Sequence, residues 1–166
     1  MRIAIVAVGR LKPGPERELV DRYVQRVASA GRAGGLPAPD MVEIDESRAR
    51  RPEDRRAEEA KSIAAKCPAP GAIVVLDERG RDLTTEDFTD FVMRCRDDAR
   101  DLALVIGGPD GLEPAFVAGA DRRLRFGAMT LPHQLVRVLL VEQLYRAATI
   151  LTGHPYHRGA GHRSDA

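Results

Sequence analysis

Three short apolar runs constrain this chain more than any other feature. They are Arg2–Val8 (RIAIVAV), closed by Gly9; Ala72–Leu76 (AIVVL), closed by Asp77; and Leu102–Ile106 (LALVI), closed by Gly107-Gly108. Each is too short for a core helix, rich in β-branched residues, and apolar without alternation. A strand with one face in water alternates; a strand apolar throughout is covered on both faces. Helical stretches separate the runs, so the pattern demands a parallel sheet with helices on both sides, an α/β fold. No internal repeat or domain boundary interrupts it, and 166 residues are enough for one self-sufficient core.

The remaining elements follow from periodicity and punctuation. Glu16 to Ser29 carries Leu19, Val20, Tyr23, Val24 and Val27 at helical spacing. Gly31–Pro39 is a glycine- and proline-rich loop, and Met41–Ile44 is a second short strand. Pro52–Lys66 reads as a helix whose mixed run of Glu53, Asp54, Arg55, Arg56, Glu58, Glu59 and Lys61 is expected to be a solvated face. Thr84 or Thr85 starts a helix to Cys95, with Asp87 in its first turn. Leu112–Ala120 is expected as a short helix, Leu124–Leu131 as a fifth strand, and His133–Leu151 as the longest helix. The chain from Thr152 onward reads as loop.

Composition narrows the class. Hydrophobic residues at 43% and charged residues at 31% exclude collagen-like and fully disordered chains. The two cysteines, Cys67 and Cys95, form no disulfide framework, and the expectation is a reducing, cytoplasmic setting. No targeting segment is apparent. The longest apolar stretch, Leu135–Leu151, contains Arg137, Glu142 and Arg146, so no membrane span is expected. Net charge is only +1, but it is unevenly spread. From Asp121 onward there are seven arginines against three acids, and His154, His157 and His162 crowd the end. Polyanion contact or proton chemistry is expected there.

Four segments carry candidate chemistry. In Val105–Leu112 (VIGGPDGL) a strand runs into a glycine turn. Gly107 and Gly108 permit positive φ and close backbone approach to a ligand, and Asp110 with Glu113 has the spacing of a capping box. A tight turn that binds nothing remains the plain alternative. The segment is neither GxGxxG nor a P-loop, so a dinucleotide or phosphate site has little support; Asp77 is a poor candidate for a ribose-binding acid. In Leu124–His133, Gly127 and Pro132 bend an apolar run, either to offer backbone groups to a ligand or as a bulge in an edge strand. The helix Gln134–Leu151 is apolar nearly all round, which suggests a second, intersubunit face. Within it, Arg137 either snorkels or needs a partner: an acid across an interface, or an anionic ligand. Finally, His154-Pro-Tyr-His-Arg158 places two imidazoles, a phenol and a guanidinium within five residues, suited to RNA contact and proton transfer. The His154-x-x-His157 spacing with His162 could suggest zinc, but the cysteines are far away in sequence and no acidic ligand is close by, so no metal is expected.

These segments, in this order, resemble the ribosomal large-subunit methyltransferase H family of SPOUT methyltransferases. The match rests on VIGGPDGL (Val105–Leu112), TLPHQLVRVLLVEQLYRA (Thr130–Ala147) and HPYHR (His154–Arg158), and covers residues 1–158. The resemblance implies an α/β fold whose C-terminal part is threaded into a trefoil knot. It also implies a homodimer, S-adenosylmethionine (SAM) as cofactor, and methylation of N3 of a pseudouridine in the helix-69 loop of 23S rRNA in the 70S ribosome. Carried over, the cofactor positions are Leu76, Gly107, Gly108 and the run Phe126, Gly127, Ala128, Met129, Thr130, Leu131. His154, Tyr156, His157 and Arg158 would face the target nucleotide. Any of His154, Tyr156 and His157 can take the N3 proton, and Arg158 can stabilise the anion at a flanking carbonyl. Two departures stand out: a Gly-rich tail, Gly159–Ala166, expected to be disordered, and a long Gly31–Pro39 loop. An RNA-binding protein without catalysis, or another nucleotide-binding α/β enzyme, are the competing readings.

Overall fold

The computed structural model describes residues 1–153. Five strands, β1 (Ile3–Val8), β2 (Asp40–Ile44), β3 (Gly71–Asp82), β4 (Asp101–Ile106) and β5 (Arg122–Arg125), form one parallel sheet in the order β2-β1-β4-β3-β5. The helices are α1 (Pro15–Gly31), α2 (Pro52–Ala64), α3 (Thr85–Asp97), α4 (Pro114–Ala118) and α5 (His133–Leu151). The expected α/β class is what the chain adopts.

Strand parity divides the core. Ile3, Ile5, Ala7, Val74, Leu102, Leu104 and Ile106 face a layer built by α1, α3 and α5, with Val20, Val27, Phe88, Val92, Leu140, Leu144 and Ala148 against them. Val6, Val8, Val75, Ala103 and Val105 face the other way, onto Ile63 of α2 and Leu112. Both faces are covered, which is why the strand runs do not alternate. Helix α5 contains Val136, Val138, Val141, Thr149 and Ile150, each costing up to about 0.7 kcal/mol of helix propensity. Burial of Leu140, Val141 and Leu144 at roughly 1.5–3 kcal/mol each outweighs that.

Of the two expected starts of α3, Thr84 and Thr85, Thr84 is the cap. Thr84 Oγ1 accepts from the Asp87 amide (3.0 Å) and Asp87 Oδ2 accepts from the Thr84 amide (3.3 Å). Thr84→Ala is expected to cost about 1 kcal/mol, read as a shift of the denaturation midpoint at unchanged m-value.

Four expectations need correction. The fifth strand stops at Arg125 rather than Leu131, because residues 126–132 leave the sheet. Strand β3 runs past Asp77 to Asp82, with a register shift between Leu76 and Arg81 opposite Leu124. Helix α4 starts at Pro114 after Glu113, with no side-chain cap; the Asp110–Glu113 capping box does not form because Asp110 is taken by Arg55. The Gly31–Pro39 loop is partly ordered as the end of α1 and a 3₁₀ turn, Arg32–Gly34.

Candidate active site

The strands β4, β3 and β5 are neighbours, and their carboxyl ends align: Leu76 sits opposite Ile106 on one side and Leu124 on the other. The chain segments that follow these three points therefore converge at one edge of the sheet, where parallel α/β proteins bind ligands. They enclose a cleft of about 740 Å³.

The first wall is the glycine turn. The Gly108 carbonyl accepts from the Gly111 amide (3.0 Å), closing a four-residue turn with Pro109 at its second position. Gly107 and Gly108 do not use positive φ; Gly111 does, at +80°. The first two are glycine for space. A Cβ on Gly107 would meet Leu112 Cγ at 2.9 Å, and one on Gly108 would meet Val8 Cγ1 at 3.0 Å and Glu59 Oε2 at 3.2 Å. Helix α2 holds this turn from behind. Arg55 donates to Asp110 through Nε (2.5 Å) and Nη2 (2.9 Å), which holds the Asp110 carboxyl below its usual range. Glu59, only 5% exposed, accepts from the Ser47 amide. The charged run of α2 is thus not simply a solvated face. Arg56, Glu59 and Ile63, at i, i+3 and i+7, form an inward stripe whose spacing was present in the sequence, masked by its charge.

The second wall is the irregular part of β3. Asp77 Oδ1 accepts from the Arg79 amide (2.8 Å) and from Arg123 Nη2 (2.6 Å). Gly80 lies so close to β5 that a Cβ would stand 2.6 Å from the Leu124 carbonyl carbon. Neither Arg123 nor Gly80 was singled out by sequence reasoning, since both act only through this pairing. Asp77, bonded to Arg123, is not poised as a ribose acid.

The third wall is residues 126–132 and the start of α5. Gly127 has φ of +120°, a conformation that turns the chain out of the sheet rather than bulging within it. His133 lines the cleft; desolvation, then the positive Arg137 behind it, holds its imidazole below the ordinary value, against an opposing pull from Glu46. Arg137 is 3% exposed and finds its partners within its own chain. It donates to Glu43 Oε1 (3.1 Å) and to the Val8 and Gly9 carbonyls (2.9 and 2.7 Å). These bonds stand where an anionic ligand or an acid across an interface would, although the buried Nε of Arg137 meets no acceptor among the described residues.

Leu76, Gly107, Gly108, Phe126, Gly127, Met129, Thr130 and Leu131 all line this cleft; Ala128 is exposed nearby and is not in its wall. His154, Tyr156, His157 and Arg158, and the 159–166 tail, lie outside the described residues. Among the described residues no group of three or more His, Cys, Asp or Glu is placed to hold a metal, and no helix is long and apolar enough to cross a membrane.

A family model described as "Predicted SPOUT methyltransferase" matches residues 1–157. The chain belongs to the SPOUT methyltransferase family. The ribosomal RNA large subunit methyltransferase H of Methylobacterium radiotolerans is 57% identical over 161 residues, 96% of this chain and 98% of that protein. Those of Methylorubrum extorquens and Xanthobacter autotrophicus are 55% identical over 161 residues (96% of this chain and 98% of that protein) and 53% over 159 (95% and 99%). In this SPOUT methyltransferase, the positions that the resemblance implies for the cofactor, Ala128 apart, line the cleft where the three loops meet.

Proposed function

We propose that this SPOUT methyltransferase methylates N3 of a pseudouridine in the helix-69 loop of 23S rRNA, with SAM as methyl donor and the assembled 70S ribosome as substrate. The observation that carries the reading is the convergence of Leu76, the 107–111 turn and Phe126, Gly127, Met129, Thr130 and Leu131 on one cleft, in a chain more than half identical to methyltransferases named for large-subunit rRNA. The cleft fits such a cofactor. Its volume is in the range of small-molecule sites. Leu76, Ile106, Leu112, Phe126 and Val136 give it apolar surface, and the backbone of two glycine-containing loops gives it polar edges.

SAM supplies a methyl group already activated as a sulfonium. The protein's task is then positioning and proton removal. Leu76, Gly107, Gly108 and residues 126–131 would hold the cofactor. His154, Tyr156 or His157 takes the proton from N3, and Arg158 stabilises the anion that this leaves on a flanking carbonyl oxygen. The 1–158 segment would act as one unit, threaded as a trefoil knot and paired as a homodimer in the cytoplasm, where ribosomes are. The dimer is supported by exposed apolar surface: Leu135 (42%) and Leu139 (37%), one turn apart on α5, with Met129 (81%) in the preceding loop.

The test incubates the full chain and labelled SAM with 70S ribosomes, separate subunits and free rRNA, then maps the modified nucleotide by mass. Label confined to 70S particles and to a helix-69 pseudouridine is expected. Label on free rRNA or tRNA instead would overturn the substrate assignment.

A further inference from the structure

Among the described residues, two arginines that line the cleft, Arg56 and Arg79, have no hydrogen-bonded or ion-paired side chain. Arg123 is bonded to Asp77, Asp110 to Arg55, and Arg125 to Asp82. Glu78 and Arg79 are exposed at the rim. Arg56 is different. It lies on the inward stripe of α2, half-buried, and lines the cleft beside the glycine turn. Its Nε is sealed from solvent with no acceptor, as are those of Arg123 and Arg137, but those two are bonded through their other nitrogens, whereas among the described residues the Arg56 side chain makes no hydrogen bond or ion pair. Asp110, a carboxylate close enough to feel the Arg56 charge, already receives two bonds from Arg55. A desolvated donor without a partner is a cost the fold does not need, since an apolar side chain would fill the same wall. A planar guanidinium held there suits a planar anion of matching geometry.

SAM carries one anionic group, its carboxylate, alongside an ammonium and a sulfonium. We propose that Arg56 is the carboxylate contact of the cofactor cleft, the residue by which the site recognises the amino-acid end of SAM. This rests on the reading of the cleft given above. A phosphate of the RNA backbone is the weaker occupant: it would be met at the rim, where Arg79 stands, rather than in the wall formed by α2 and the 107–111 turn.

The test is calorimetry on the full chain with two probes, SAM and its decarboxylated analogue, which keeps the adenosine, sulfonium and amine. Arg56→Ala is expected to weaken SAM binding by about 10- to 100-fold, with partial recovery in Arg56→Lys. Affinity for the decarboxylated analogue should stay within about twofold of wild type in both variants. Arg56→Met, which keeps the packing stem, should behave as Arg56→Ala with an unchanged melting temperature. Equal weakening toward both probes, or unchanged SAM affinity, overturns the proposal. Unchanged SAM affinity with weakened ribosome binding would instead assign Arg56 to RNA phosphate. If the wild-type chain binds neither probe, the reading of the cleft itself fails.

Discussion

Replacing Arg158 with alanine is expected to slow methyl transfer to 23S rRNA by about 10²- to 10³-fold while SAM affinity stays within about twofold. The reason lies in the chemistry of the nucleophile. N3 of a pseudouridine is an imide nitrogen flanked by two carbonyls and is mostly protonated near neutral pH. Loss of its proton spreads negative charge onto a carbonyl oxygen, and that charge exists in the transition state but not in the bound substrate. A guanidinium that meets it therefore raises turnover without tightening cofactor binding. Single-turnover rates on 70S ribosomes, set beside calorimetric SAM affinity, separate the two. A parallel fall in rate and SAM affinity would move Arg158 from the reacting nucleotide to the cofactor site.

What could be read from the residues, and what could not, divides along a physical line. Helix His133–Leu151 and the strands ending at Val8 and Ile106 were evident because their limits are set locally, by Pro132, Gly9 and the Gly107-Gly108 pair. The start of α3 was narrowed to Thr84 or Thr85 for the same reason, and the bond from the Asp87 amide makes it Thr84. The end of β5 was not, because Phe126 to Leu131 are as apolar as a strand. They leave the sheet because Gly127 turns them toward a cleft that exists only once β3, β4 and β5 are adjacent. Asp110 has the spacing of a helix cap, yet a partner 55 residues away in sequence, Arg55, outcompetes the local bond. Arg56 and Glu59 look like solvent-facing charges until Ile63 fixes which side of α2 turns inward. Local punctuation thus marked the segments that line the cleft, while the wall that α2 gives them depends on non-local pairing.

Arg137→Leu is expected to cost about 3 kcal/mol of stability, the low end of the roughly 3–5 kcal/mol lost when one member of a buried ion pair is removed. The low end applies because Glu43 keeps two other partners, the Leu11 amide (2.8 Å) and Arg17 Nη2 (3.1 Å). The Val8 and Gly9 carbonyls, which accept from Arg137, are the groups left short. Urea unfolding reads the loss, and a decrease below about 1 kcal/mol would show that the buried guanidinium contributes little net stability. The double variant Arg137→Leu with Glu43→Leu should recover part of the loss, since two apolar side chains replace a desolvated pair. It should not recover SAM affinity. An α5 apolar on most sides leaves few polar contacts to fix its register against α1 and α3, and the bonds from Arg137 to the ends of β1 and β2 stand at its N-terminal half, next to the cleft, while the Thr85–Gln143 bond and the Tyr23–Tyr145 contact stand farther along it. Slippage of α5 would displace His133 and Val136 from the cleft wall and change the path of residues 126–132 that lead into it. Full recovery of both stability and SAM affinity in the double variant would show that packing alone sets the register and that the buried charge has no positioning role.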